Sequence, residues 1–207
     1  LAVQQDLGVR GAHSVETYVA DLDHIEQHPT ILKKSIEYLG HLDSVLVAHG
    51  TLSNQQSCQN NVAEMLKEIH TNISSVFSLL TYLANYFEDQ KRGTIAVITS
   101  VAGDRGRQSN YVYGAAKGAQ TIFLEGLRNR LTKSGVSVIT IKPGFVDTPM
   151  TAHIKKTALF ADSKAVGGKI YQTMKQPRDV LYVPWFWSPI MSLIRRIPEP
   201  LFKRLSL

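Results

Sequence analysis

Tyr113 and Lys117 stand four residues apart in a run, Tyr111–Lys133, whose apolar spacing predicts a helix. Residues at i and i+4 share one helix face, so a phenol and an ammonium there can address a single pocket. A free tyrosine, with a pKa near ~10, is a poor acid–base group at neutral pH. A neighbouring ammonium favours phenolate, so the expectation is a Tyr113 made more acidic by Lys117 and suited to proton transfer. Ser100 follows the apolar run Ile95-Ala96-Val97-Ile98 within Thr99-Ser100-Val101-Ala102-Gly103. That puts its hydroxyl at the carboxyl end of a buried strand, where α/β sheets collect ligands, ready to hydrogen-bond a substrate oxygen. Asn72, in His70-Thr71-Asn72-Ile73-Ser74, offers an amide that would hold a water relaying protons to Lys117. Lys142-Pro143-Gly144-Phe145-Val146-Asp147-Thr148 reads as a tight bend where backbone approaches a flat ring closely. Tyr111 is the rival phenol, but it falls on a different helix face from Lys117 and reads as substrate-lining or surface.

The elements that must position these groups alternate along the chain. β-rich runs are expected at Ser14–Val19, Ser44–Ala48, Thr94–Thr99, Val136–Ile141 and Val180–Val183. Val45-Leu46-Val47-Ala48 and Ile95-Ala96-Val97-Ile98 are unbroken apolar stretches, the pattern of strands covered on both faces. Helical patterns lie between them at Pro29–Leu39, Asn61–Gln90, Tyr111–Lys133 and Asp162–Gln176, and Leu1–Val9 reads as the tail of another. Such alternation predicts right-handed βαβ crossovers and an α/β fold with a doubly wound Rossmann-type parallel sheet in three α/β/α layers, one domain over 1–207. A sheet of this kind usually opens with a strand, a Gly-rich turn and a helix that holds a pyrophosphate. No such turn occurs in the sequence, so a native segment on the order of 40–50 residues is expected before Leu1.

On these residues the chain resembles the short-chain dehydrogenase/reductase family over nearly all its length. The motifs are Asn72, Ser100, Tyr113-x-x-x-Lys117 and Pro143-Gly144 through Thr148. The resemblance implies NAD- or NADP-dependent hydride transfer between a small-molecule carbonyl and an alcohol. It makes Tyr113 the acid–base, gives Lys117 the nicotinamide ribose as well, lets Ser100 orient the carbonyl and lets Asn72 complete the proton relay. It implies cofactor contacts from Asp21 and Leu22, from Ala48, His49 and Gly50, and from Pro143, Gly144, Val146 and Thr148. A homodimer or homotetramer is implied too, built on the helices around Asn61–Gln90 and Tyr111–Lys133. The family's Asn-Asn-Ala-Gly motif stands here as Val47-Ala48-His49-Gly50, with both asparagines gone. Val47–Gly50, Thr151-Ala152-His153-Ile154-Lys155-Lys156 and the ending Arg196-Ile197-Pro198…Phe202-Lys203-Arg204-Leu205 also resemble reductases acting on a polyprenyl-phosphoryl 2-keto-pentose. A non-catalytic dinucleotide-binding scaffold or sensor is the alternative, against which an intact Ser100–Tyr113–Lys117 set speaks.

Composition limits the other readings. The 207 residues carry a net charge of +6, and residues 151–207 alone hold ten Lys and Arg against three Asp and Glu. That basic end suits an anionic partner or is a solvated face. Without a recognition-helix pattern or aromatic–basic interleaving, nucleic acid ranks last. The lone Cys58 excludes an intrachain disulfide framework, and the histidines lack metal-ligand spacing. His49 reads as a hydrogen-bonded structural residue. Arg105 and Arg107 would clamp a phosphate or belong to a solvated loop. The aromatic run 181–191, followed by a helix to about Ile197, is an oligomer contact, a lid or an interfacial membrane anchor through Trp185 and Trp187. A cytoplasmic setting, with peripheral contact at the inner membrane face through 181–207, is expected; no apolar run reaches the ~18 residues of a spanning helix.

Overall fold

The computed structural model describes residues 2–152 and 154–205, so the expectation attached to His153 lies outside the described residues. Four strands, β1 (Ser44–Val47), β2 (Gly93–Ile98), β3 (Val136–Pro143) and β4 (Val180–Val183), pair in that order, all parallel. Each parallel step needs a crossover, and the helical patterns supply them. α1 (Ala2–Val9), α2 (His28–Leu39), α3 (Gln55–Asn60), α4 (Val62–Ile69) and α5 (Val76–Gln90) precede β2 or flank β1. α6 (Tyr111–Leu131) joins β2 to β3, α7 (Ser163–Lys175) joins β3 to β4, and α8 (Trp187–Arg196) and α9 (Glu199–Phe202) follow.

Strand periodicity divides the apolar residues between two cores. Ile95 and Val97 of β2, with Val136 and Val138 of β3, face Leu80, Leu83 and Phe87 of α5 and Leu124, Leu127 and Leu131 of α6. Ala96, Ile139 and Ile141 point the other way, onto Val166 and Ile170 of α7. Burial on both faces is why these strands read as continuous apolar runs rather than alternating ones. The three expected layers are present.

Ser14–Val19 forms no strand, contrary to expectation: Val19 is 96% exposed, and Tyr18 is exposed too. A strand exists by pairing, and the described residues offer this run no neighbour, so β-branched composition alone does not order it. β1 is accordingly an edge strand with Leu46 exposed. The long pattern expected over Asn61–Gln90 is one helical path, but a π-helical turn, His70–Ser75, interrupts it between α4 and α5. The short α3, in the polar stretch around Cys58, has no sequence periodicity; Asn54 caps it by accepting the Ser57 N–H.

Candidate active site

β2 delivers the chain to Ser100 at its carboxyl end. Thr99 fixes the exit by donating both its N–H and its hydroxyl to the Ile141 carbonyl, at 2.7 and 2.8 Å. Ser100 then caps a 3-10 turn, Val101–Asp104, with its Oγ accepting the Ala102 N–H at 3.1 Å. That turn packs backbone to backbone on α6: a Cβ at Gly103 would stand 2.6 Å from the Gly118 nitrogen and from the Lys117 carbonyl carbon. Glycine at 103 therefore sets how closely the Ser100 turn approaches the helix that carries Tyr113 and Lys117. At the start of α6 Asn110 makes no side-chain cap, and Gln55 of α3 instead accepts the Val112 N–H at 3.0 Å. Sequence reasoning did not find Gln55, whose partner is 57 residues away.

Lys117 is 4% exposed; its Nζ donates to the Ile98 carbonyl and to Gln120 Oε1, each at 3.3 Å, and lies 5.7 Å from the Tyr113 ring centre. Burial lowers its pKa to about 8, against an opposing pull from the Glu68 carboxylate. Tyr113 moves opposite to expectation. Burial pushes its phenol up to about 12, the Ser100 hydroxyl draws it back in part, and Glu68 adds to the rise. Desolvation of the anion outweighs the nearby ammonium in the chain by itself, so Tyr113 holds its proton at neutral pH. Tyr111, two residues before Tyr113 and on a different face of α6 from Lys117, is exposed.

Asn72 is fully buried in the π turn. Its amide nitrogen donates to Glu68 Oε1 at 2.9 Å and to Thr51 Oγ1 at 3.1 Å, its Oδ1 accepts the Thr51 N–H at 3.4 Å, and its main-chain carbonyl accepts from Gln120 Nε2 at 2.5 Å. The amide is thus engaged by protein groups instead of standing open for a water, because Glu68 and Thr51, neither singled out in the sequence, converge on it. π turns of this kind mark many functional sites.

Of the residues expected to contact a cofactor, Leu22, His49 and Gly50 are tied together next to Asn72 and Lys117. Ala48 is exposed; His49 shares a 3.0 Å hydrogen bond with Ser75, and burial together with Lys117 lowers its pKa to about 4. Ser75 also donates to the Leu22 carbonyl at 2.6 Å, which draws Leu22 and the exposed Asp21 beside His49. Gly50 adjoins Asn72 Oδ1 and Lys117 Nζ. Pro143 closes β3, Val146 bridges to Ala161, and Thr148 and Thr151 cap each other's turn.

The flat ring that meets the Pro143-Gly144 bend here is the protein's own: a Cβ at Gly144 would lie 1.8 Å from Trp187 Nε1. Trp187 is 4% exposed and packs with Val101 and Met191, so the expected pair of surface tryptophans reduces to Trp185 alone. Gly144→Ala should therefore cost about 1–3 kcal/mol through overpacking against a ring that cannot retreat, read as a lowered melting temperature. An unchanged melting temperature would mean that the bend and indole separate freely.

One further group escaped the sequence. Asp104 forms a buried ion pair with Lys142 at 2.5 Å and accepts the Tyr182 hydroxyl at 2.7 Å, linking the Ser100 turn to β3 and β4. Arg105, expected to clamp a phosphate or lie in a solvated loop, is instead committed to groups of the chain itself. Its guanidinium donates to the carbonyls of Ile194, Arg195 and Ile197 at the end of α8, pairs with Glu199 and stacks 3.8 Å above the Phe202 ring. Arg107 is half-buried, and its Nε has no hydrogen-bond partner. Among the described residues no cluster of His, Cys, Asp and Glu is placed to hold a metal ion, and no helix is long and apolar enough to cross a membrane.

Residues 2–159 match the family model described as short chain dehydrogenase. An uncharacterised oxidoreductase of Mycobacterium tuberculosis is 30% identical over 199 residues, covering 96% of this chain and 80% of the relative. One from Streptomyces coelicolor is 28% identical over 166 residues, covering 80% and 66%. Among solved structures, a short chain dehydrogenase from Burkholderia cenocepacia in complex with NADP superimposes with a TM-score of 0.76 at 17% identity, covering 91% of this chain and 77% of that one. ElxO with NADPH bound gives 0.71 at 18% identity, over 81% and 76%.

Proposed function

This chain belongs to the short-chain dehydrogenase family of oxidoreductases, and from that membership we propose that it exchanges a hydride between NAD or NADP and a carbonyl or secondary alcohol. The observation that carries the reading is the convergence of Ser100, Tyr113 and Lys117 through the Gly103–Gly118 contact. Two solved structures that share the fold carry NADP and NADPH. The donor set suits a nicotinamide riboside: Gly50 brings the backbone after β1 close to Lys117 Nζ and Asn72 Oδ1, where a Cβ would stand 3.3 and 2.7 Å away, and Ser75 ties His49 to the Leu22 carbonyl beside it.

In the reducing direction a nicotinamide dinucleotide, when bound, would supply the hydride. The rest belongs to the chain. Ser100 donates a hydrogen bond to the carbonyl oxygen and so aligns it with Tyr113. The Tyr113 phenol gives its proton to that oxygen as the alcohol forms, and Lys117 stabilises the phenolate left behind. A phenol that keeps its proton at neutral pH suits reduction, which consumes that proton.

The test is fluorescence titration of the full-length protein with NADH and NADPH, followed by a carbonyl panel monitored by nucleotide oxidation. Saturable binding with turnover supports the reading. Binding without turnover on any carbonyl would favour a scaffold or sensor, and a folded protein that binds neither nucleotide would sink both. A polyprenyl-phosphoryl keto-pentose is the substrate that the carboxy-terminal motifs favour.

A second reading concerns the carboxy-terminal surface. Trp185 is 77% exposed and Leu193 68%, with Leu201 and Leu205 also outward beside Arg195, Arg196, Lys203 and Arg204. Apolar and basic groups spread over α8, α9 and the residues flanking them suit peripheral contact with an anionic bilayer. Flotation with anionic liposomes at low salt should carry the protein upward; a protein that stays in the soluble fraction excludes this contact. Self-association into a dimer or tetramer is favoured by Ile122, 70% exposed on α6.

A further inference from the structure

We propose that Glu68 is the counter-charge of Lys117: a positioning residue that acts through the Asn72 amide to hold the lysine as an ammonium facing Tyr113. The proposal rests on the roles given above to Lys117 and Tyr113.

Glu68 lies on α4 four residues before Asn72, so the two share a helical face. It is 3% exposed, an unusual place for a glutamate. Both of its oxygens receive donors: the Thr51 hydroxyl reaches Oε2 at 2.7 Å and Asn72 Nδ2 reaches Oε1 at 2.9 Å. Two donors and no acceptor form the environment of an ionised carboxylate. A buried charge needs an opposite charge nearby. Lys117 has the mirror-image need, for its Nζ donates only to neutral oxygens of Ile98 and Gln120.

Asn72 stands between them with its dipole aligned. Its NH2 end meets the carboxylate, while its Oδ1 and Lys117 Nζ border the same point, 2.7 and 3.3 Å from where a Gly50 Cβ would lie. Gln120 fixes Lys117 against the same π turn, donating to the main-chain carbonyl of Asn72 and accepting from Lys117. The other titratable groups on neighbouring elements are otherwise accounted for. Tyr113 is the phenol itself, His49 bonds Ser75, His28 bonds Ser78 and the Leu22 carbonyl, the Asp23 carboxylate accepts the Thr71 hydroxyl, His70 bonds the Asp23 carbonyl, and Cys58 of α3 bonds Ser53. The carboxylate also favours the protonated forms of both Lys117 and Tyr113.

The test is a thermal double-mutant cycle on the full chain with Glu68→Gln, Lys117→Met and the pair, well below and well above pH about 8, where Lys117 loses its proton. The expected result is a melting temperature lowered by about 5 °C or more in E68Q at neutral pH. That loss should be largely recovered in the double variant and should shrink above the lysine's pKa. Additive effects that do not change with pH would overturn the proposal, leaving Glu68 a hydrogen-bond acceptor only. If E68Q fails to fold, refolding on addition of K117M supports the charge pairing, and continued unfolding refutes it. The melts need no nucleotide, so failure here and failure of the redox reading are separately visible.

Discussion

Tyr113→Phe should lower the turnover number for carbonyl reduction by about 10²–10⁴-fold while leaving nucleotide binding in place, because only the hydroxyl that gives up the proton is lost. Tyr111→Phe should leave turnover unchanged, since that phenol is exposed and off the Lys117 face. Steady-state kinetics of the two variants decides the matter, and equal losses would assign the proton to neither. The pH profile adds a check with a definite sign. Tyr113 has its pKa raised to about 12, so its proton is present throughout the neutral range and reduction should be flat there. Lys117, lowered to about 8, loses its charge as pH rises through that value, and reduction should fall with it. A profile that instead climbs through pH 8 would place the acid elsewhere.

Asp104→Ala should lower the melting temperature by on the order of 10 °C, the effect of about 3–5 kcal/mol for breaking a buried ion pair in a chain of this size. The side chains of Lys142 and Asp104 are 6% and 2% exposed, so the abandoned ammonium cannot reach water without moving β3. The Tyr182 hydroxyl loses its acceptor in the same step. The damage should extend to function, because Asp104 closes the turn that begins at Ser100 and Lys142 precedes the Pro143-Gly144 bend. Adding Lys142→Met should restore much of the stability. A variant melting within a degree of the parent would show that the pair does not hold the turn.

The residues that could be read from the sequence share one property: local spacing encodes them. Tyr113 and Lys117 are one turn apart, Ser100 ends an apolar run, and β2 and β3 announce themselves by composition. What the sequence hid depends on partners far along the chain. Glu68 looks like a surface glutamate until Thr51 and Asn72 close around it, and Asp104 looks like loop until Lys142 arrives from 38 residues away. Trp187 read as a companion of Trp185 on an aromatic face, yet the turn into α8 swings it inward onto Gly144. Ser14–Val19 erred in the other direction: strand composition was present, but pairing is not a property of the run itself. The rise in the Tyr113 pKa was equally out of reach, since spacing gives the neighbour but not the loss of water.

Arg105 turns the last stretch of the chain into part of the frame around Ser100. By gathering the carbonyls that end α8 and lying flat on Phe202, one guanidinium hangs residues 194–202 from the very next position after Asp104. A displacement of residues 194–202 is therefore felt at the turn that begins at Ser100, so the two move as one mechanical unit.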